Sequence, residues 1–168
     1  MQISVYHTVN TTATRGLTNL DAILDKAAAS AEARKFDPAI LLNARLAPDM
    51  FPLTRQVQIA ADFGKFMAMR MAGVEAPKFE DNESSFAELK ARIAKTLDFV
   101  RSVPEAKYAG AEDREFTVKA GPNTFEFKGL DYLVGYAIPN FYFHYTTAYA
   151  ILRHNGVELG KPDFLGKF

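Results

Sequence analysis

Cysteine is absent from the 168 residues, which excludes disulfides, thiolate metal sites and cysteine nucleophiles together. Net charge is absent as well. Twenty Lys and Arg balance twenty Asp and Glu, and no segment gathers the basic stripe of a nucleic-acid binder. No apolar stretch is long enough to span a bilayer. Met1 to Arg15 carries His7, Asn10 and several threonines instead of a charged region followed by an apolar run, so no secretory leader is expected. Ser-His-Asp order, phosphate-cradling glycine loops and HExxH patterns are missing too. The expectation is a cytoplasmic chain without nucleic-acid or membrane partners.

What is present reads as one globular domain over residues 1–168. Hydrophobic residues make up 48% and charged residues 24%, ordinary for a chain that buries a core. Four segments carry a helical period. The first, from about Ile3 to Arg34, spaces Val5, Val9, Leu17, Leu20, Ile23, Leu24, Ala27 and Ala31 along one face. Its stretch Asn10–Gly16 is poor in helix formers, which predicts a bend. Asp37-Pro38 opens a short helix through Arg45. A second long helix is expected after Pro48-Asp49 and ends near Ala72-Gly73. Leu53, Val57, Ala60, Gly64, Met67 and Met71 form its inward stripe, with Arg55, Gln58, Asp62 and Lys65 opposite. Two of the three methionines 67, 69 and 71 fall on that stripe, so core filling explains them better than a soft-metal site.

An acidic, Pro-containing loop spans Val74 to Glu83. Ser85 with Glu88 then forms a capping box for the third long helix, whose core stripe is Phe86, Leu89, Ile93, Leu97 and Val100. Glu88 and Arg92 are spaced to pair on its surface. Pro104 ends it. Two alternating runs, 115–119 and 124–128, flank Ala120-Gly-Pro-Asn and predict a β-hairpin with Phe116, Val118, Phe125 and Phe127 on one face. The fourth long helix runs from about Leu130 to Asn155. Pro139 interrupts it, removing the amide that would bond the carbonyl of Gly135, so a kink or two abutting helices is expected.

The chemistry-bearing residues gather on that last helix. Asn140, His144, Thr147 and Ile151 share one strip beside the apolar residues Leu133, Ala137, Phe141 and Ala148. His144 should therefore look into the bundle. Gln56 lies in the inward arc of the second helix with Leu53, Ala60 and Phe63, whereas Gln58 does not. A cavity shared by Gln56, Asn140, His144 and Thr147, roofed by the hairpin, is the candidate ligand site. His154, in the last turn, complements the helix dipole, and His7 has no second ligand at a metal spacing. Tyr142, Tyr145 and Tyr149 form a separate row, which suits an interface or a covering of the carboxyl tail and hairpin.

The stretches Leu20-Asp-Ala-Ile-Leu-Asp-Lys-Ala, Leu46-Ala-Pro-Asp-Met-Phe-Pro-Leu-Thr-Arg-Gln-Val-Gln, Asn140-Phe-Tyr-Phe-His-Tyr-Thr-Thr-Ala-Tyr-Ala-Ile-Leu-Arg and the tail from Leu152 to Leu165 resemble the DinB/YfiT-like metalloenzyme superfamily. Within it the chain is most similar to a bacterial family of unknown function. The resemblance implies an all-α, up-down-down-up four-helix bundle with a small hairpin between the third and fourth helices, and a homodimer. It also implies a metal position built from one histidine on the second helix and an H-x-x-x-H pair on the fourth. His144 matches the second histidine of that pair, while Asn140 and Gln56 fall on the other two positions. Amide oxygens are weak ligands for ions that favour imidazole. No tightly bound cofactor is expected, and His144 is the sole retained ligand for a weakly held divalent ion.

Three functions follow, in this order. The first is a small-molecule-binding bundle with a degenerate metal site. The second is a metal-dependent thiol S-transferase or hydrolase working with a reduced triad. The third is a non-catalytic dimeric interaction module.

Overall fold

The computed structural model describes residues 3–167. Its elements are α1 (Val5–Ala33), α2 (Ala39–Leu42), α3 (Leu53–Ala72), α4 (Phe86–Ser102), β1 (Glu115–Ala120), β2 (Asn123–Lys128), α5 (Gly129–Tyr132), α6 (Ile138–His154) and α7 (Lys161–Leu165). The long helices α1, α3, α4 and α6 pack around one apolar core.

Cross-helix contacts fix the directions. Gly16 of α1 lies against Phe141 of α6, and Arg34 just beyond α1 donates to the carbonyl of Asn155 just beyond α6. These two helices are parallel. Gln56 meets His144, and Arg70 meets the Tyr132 hydroxyl, so α3 opposes the α5–α6 path. Lys90 pairs with Asp21 and Asp25, while the rings of Tyr6 and Tyr108 meet past the other end of α4. Thus α4 opposes α1. The bundle runs up, down, down, up.

The apolar stripes land as their spacing predicts. Leu53, Val57, Ala60, Met67 and Met71 of α3 are fully buried, as are Leu89, Ile93 and Val100 of α4. Ser85 caps α4 by accepting from the Glu88 amide, and the Glu88 carboxylate reaches back to the Ser84 amide and both hydroxyls. In the hairpin Phe116 faces Phe127 and Val118 faces Phe125.

Several expectations are corrected. Helix α1 runs unbroken through Asn10–Gly16; Gly16 serves packing, because a Cβ there would stand 2.6 Å from the Phe141 ring. Helix α2 stops at Leu42, and Arg45 instead bonds the carbonyls of Pro48 and Met50. That turn, with Pro52 at the extended N-cap, delays α3 to Leu53. The surface pair Glu88–Arg92 does not form, because Glu88 is spent on the cap and Arg92 turns inward. Gln58 and Lys65, placed on an outward face, are 3% and 5% exposed; the 74–84 segment lies over them.

Pro139 is accommodated without a break. Residues Leu133–Ala137 form a π-turn in which the Ile138 amide donates to the Leu133 carbonyl, five residues back. Pro139 then falls in the first turn of α6, where a missing amide costs no helical bond.

Candidate functional site

The site lies on the seam between α3 and α6. Gln56 sits one turn into α3 on its buried face and is 1% exposed. His144 projects from the middle of α6 and is 9% exposed. Their side chains meet, with His144 Nδ1 and Gln56 Oε1 2.7 Å apart. Gln56 Nε2 donates to the carbonyl of Phe51, 3.1 Å away. That second bond orients the amide, so the oxygen faces the imidazole and Nδ1 must be the donor. Burial, aided by the nearby positive charge of Arg55, pulls the His144 pKa down to about 4. At neutral pH the ring is therefore uncharged, protonated at Nδ1, with its Nε2 lone pair unshared by any described residue.

Aromatic rings hold the imidazole in place. Phe63, two turns after Gln56 on α3, stacks parallel to it with centroids 6.2 Å apart, and Phe143 meets it edge-on at 5.0 Å. Phe63 also touches Tyr136 in the π-turn, and Tyr136 touches Phe125 and Phe127 of the hairpin. The hairpin thus reaches the site through Tyr136. It packs on Tyr132 as well.

The other candidates do not converge on the imidazole. Asn140 donates its amide to the Tyr136 carbonyl one turn back, and the Thr147 hydroxyl donates to the Phe143 carbonyl. Both are satisfied within their own helix. Surface depressions on the molecule are lined by other residues. One of about 590 Å³ sits between the start of α1 and Tyr108, and another is walled by Arg55, Gln58, Asp81 and Glu83. His7 and His154 are on the surface. The tyrosine row splits. Tyr145 stacks on Phe164 at 4.2 Å and donates to its carbonyl, Tyr149 meets the same ring edge-on, and Tyr142 is left 41% exposed.

Sequence reasoning placed Gln56 and His144 but missed Arg55 as an electrostatic neighbour and Tyr136 as the link to the hairpin. Phe63 was legible, since it follows Gln56 by seven residues on one helix face.

A family described as a domain of unknown function, DUF1993, matches residues 5–165. The chain belongs to this family. A solved structure of a DinB family member protein from Shewanella denitrificans is similar over 97% of this chain and 92% of that one, with 45% identity and a TM-score of 0.91. No curated protein matches.

A DinB-type metal position can be tested against the residues present. Among the described residues no three His, Cys, Asp or Glu side chains come together. His144 already commits Nδ1 to Gln56, and the Asn140 nitrogen faces a carbonyl. One imidazole nitrogen and two amides do not match the donor set of a transition ion. Among the described residues no helix is long and apolar enough to cross a membrane.

Proposed function

We propose that this DUF1993 chain is a DinB-like bundle in which the metal position is degenerate and His144 serves as a neutral acceptor for a small molecule. The observation that carries this reading is the 2.7 Å contact between His144 and Gln56. It joins, across two helices, two of the three positions where the superfamily resemblance places ligands. A hydrogen-bonded amide now holds the imidazole where an ion would have held it. The ligand would present a donor to Nε2 and a flat face to Phe63, and Phe143, 56% exposed, is the side chain that would swing aside to admit it. Tyr142, Leu130 and Val134 are exposed apolar side chains, which favours a homodimer, and the sequence composition favours a cytoplasmic one.

Rebuilding the vacated ligands tests the reading. Gln56→His with Asn140→His would put a new imidazole on α3 facing His144 and another one turn before it. The wild type should show no thermal shift with zinc or nickel. The double variant should gain stability that rises with metal concentration, as expected when an ion binds only the folded state. Ligand binding is followed separately, by histidine ring NMR signals of the wild type against a fragment set. A tight zinc shift in the wild type would overturn the degenerate site in favour of the enzyme reading. A fragment set that leaves the His144 signals unmoved would overturn the ligand site.

A further inference from the structure

From Arg55, the charge beside His144, a second polar assembly extends over the face of α3 turned towards α4. Because α3 and α4 run parallel, the chain must return about 30 Å between them, and residues 73–85 do so. Connectivity demands only length. The later part of the segment nevertheless grips the helices with three alternate residues, Phe79, Asp81 and Glu83. Phe79 lies under two cations, 4.2 Å from Lys65 Nζ and 4.8 Å from the Arg92 guanidinium. Asp81 pairs with Arg55 and, at 2.9 Å, with Arg92. Glu83 accepts from Arg92 at 3.0 Å and from Gln58 at 2.8 Å. The intervening Glu80 and Asn82 are exposed and bond each other. This is how an extended peptide presents one face to a surface.

The surface beneath is built for such a ligand. It offers Arg55, Lys65 and Arg92 against one carboxylate, Asp62, which accepts from both Lys65 and Arg92 at 2.9 Å. Two positive charges are left over, and Asp81 and Glu83 supply their complement. Arg92 is buried, with its Nε unpartnered. Arg55, Gln58, Asp62 and Lys65 are all polar, so lifting residues 79–83 would bare no apolar stripe, and Phe79, unlike Val74, is not packed against the hydrophobic core. The contact is polar and lies outside the core.

We propose that the α3–α4 face is a docking site for an extended acidic peptide, with an aromatic residue followed by two carboxylates at alternate positions, and that Phe79, Asp81 and Glu83 close it in cis. The tethered segment competes at high effective concentration, so a peptide in trans gains access only when the tether is weakened. The attraction is between charges near the surface and falls with salt.

The test uses the full chain and a fluorescent peptide of residues 75–84 as the probe. Phe79→Ser, Asp81→Asn and Glu83→Gln together release the three grips while keeping the crossover length. By anisotropy the triple variant should bind the peptide at least tenfold more tightly than wild type. Binding should weaken from 50 to 500 mM salt, and a peptide bearing the same three substitutions should not bind. A folded triple variant that ignores the peptide, or binds the substituted one equally, overturns the proposal. Should the triple variant fail to fold, hydrogen exchange on the wild type decides. Amides of 75–84 should open independently of α3 and α4, faster in salt and faster with excess peptide. Exchange only through global unfolding overturns it.

Discussion

His144 and Gln56 hold each other across the α3–α6 seam through one hydrogen bond of 2.7 Å, and Gln56 is itself held by the Phe51 carbonyl. A chain of two bonds therefore fixes the tautomer of the imidazole from a residue that precedes α3. Its consequences are measurable.

The first is a pH dependence. In the unfolded chain His144 takes up a proton near its ordinary value of 6.5, whereas in the fold it resists until about 4. The unfolded state thus binds more protons in this window. Stability from this residue is fully present above pH 6.5 and is lost as pH falls towards 4. With screening at a partly open site, the loss should be about 1–2 kcal/mol. Comparing urea unfolding of wild type and His144→Gln across that range isolates the effect from carboxylate titration. Parallel pH profiles for the two proteins would refute it.

Gln56→Leu removes both bonds and leaves the Nδ1 donor and the Phe51 carbonyl without partners. The expected cost is about 1–3 kcal/mol in chemical denaturation. The imidazole nitrogen NMR shifts should also lose their fixed tautomer. A variant as stable as wild type would mean that the pair contributes nothing.

Two glycines mark close approaches of different hardness. A Cβ at Gly16 would stand 2.6 Å from the Phe141 ring, a side chain that can shift, so Gly16→Ala should cost about 1–3 kcal/mol. A Cβ at Gly129 would stand 1.8 Å from the backbone oxygen of Ala111. Gly129→Ala should therefore be the more damaging in thermal melts, and the reverse order would contradict the packing described.

Tyr108 buries its hydroxyl without a partner, and burial pushes its pKa up to about 12. Tyr108→Phe keeps the edge-to-face contact with Tyr6 and deletes the orphaned group. It should be neutral or stabilising by up to about 1 kcal/mol. A clear loss of stability would show that the hydroxyl has a bonded water.

Much of this was legible in the chain. Ser85 and Glu88 announced the start of α4 because capping is local chemistry, and Phe116 and Phe127 fell opposite each other because alternation and turn fix register. The meeting of Gln56 with His144 followed from their inward helix faces, and the bundle direction from the family resemblance. Gln58, Lys65 and Arg92 were misread for one reason. Periodicity reports that a helix face is polar, and it is silent on whether another segment lies over it. Asn140 was on the correct strip, but one turn back the Tyr136 carbonyl offered its amide a nearer partner than His144. The start of α3 depended on Arg45, eight residues ahead of the helix, tying up a turn, which no local propensity records.

The π-turn at Leu133–Ala137 gives α6 a property that a uniform helix would not have. Such a turn holds one residue more than an α-helix of equal rise, so the strand of sequence before it and the strand after it are phased separately. In continuous α-helix one added residue would turn everything beyond it by about 100°; the wide turn takes that residue up locally, so Tyr132 stays under the hairpin while His144 stays on Gln56. It works as a vernier between two docking surfaces, and its length sets which residue of α6 faces α3.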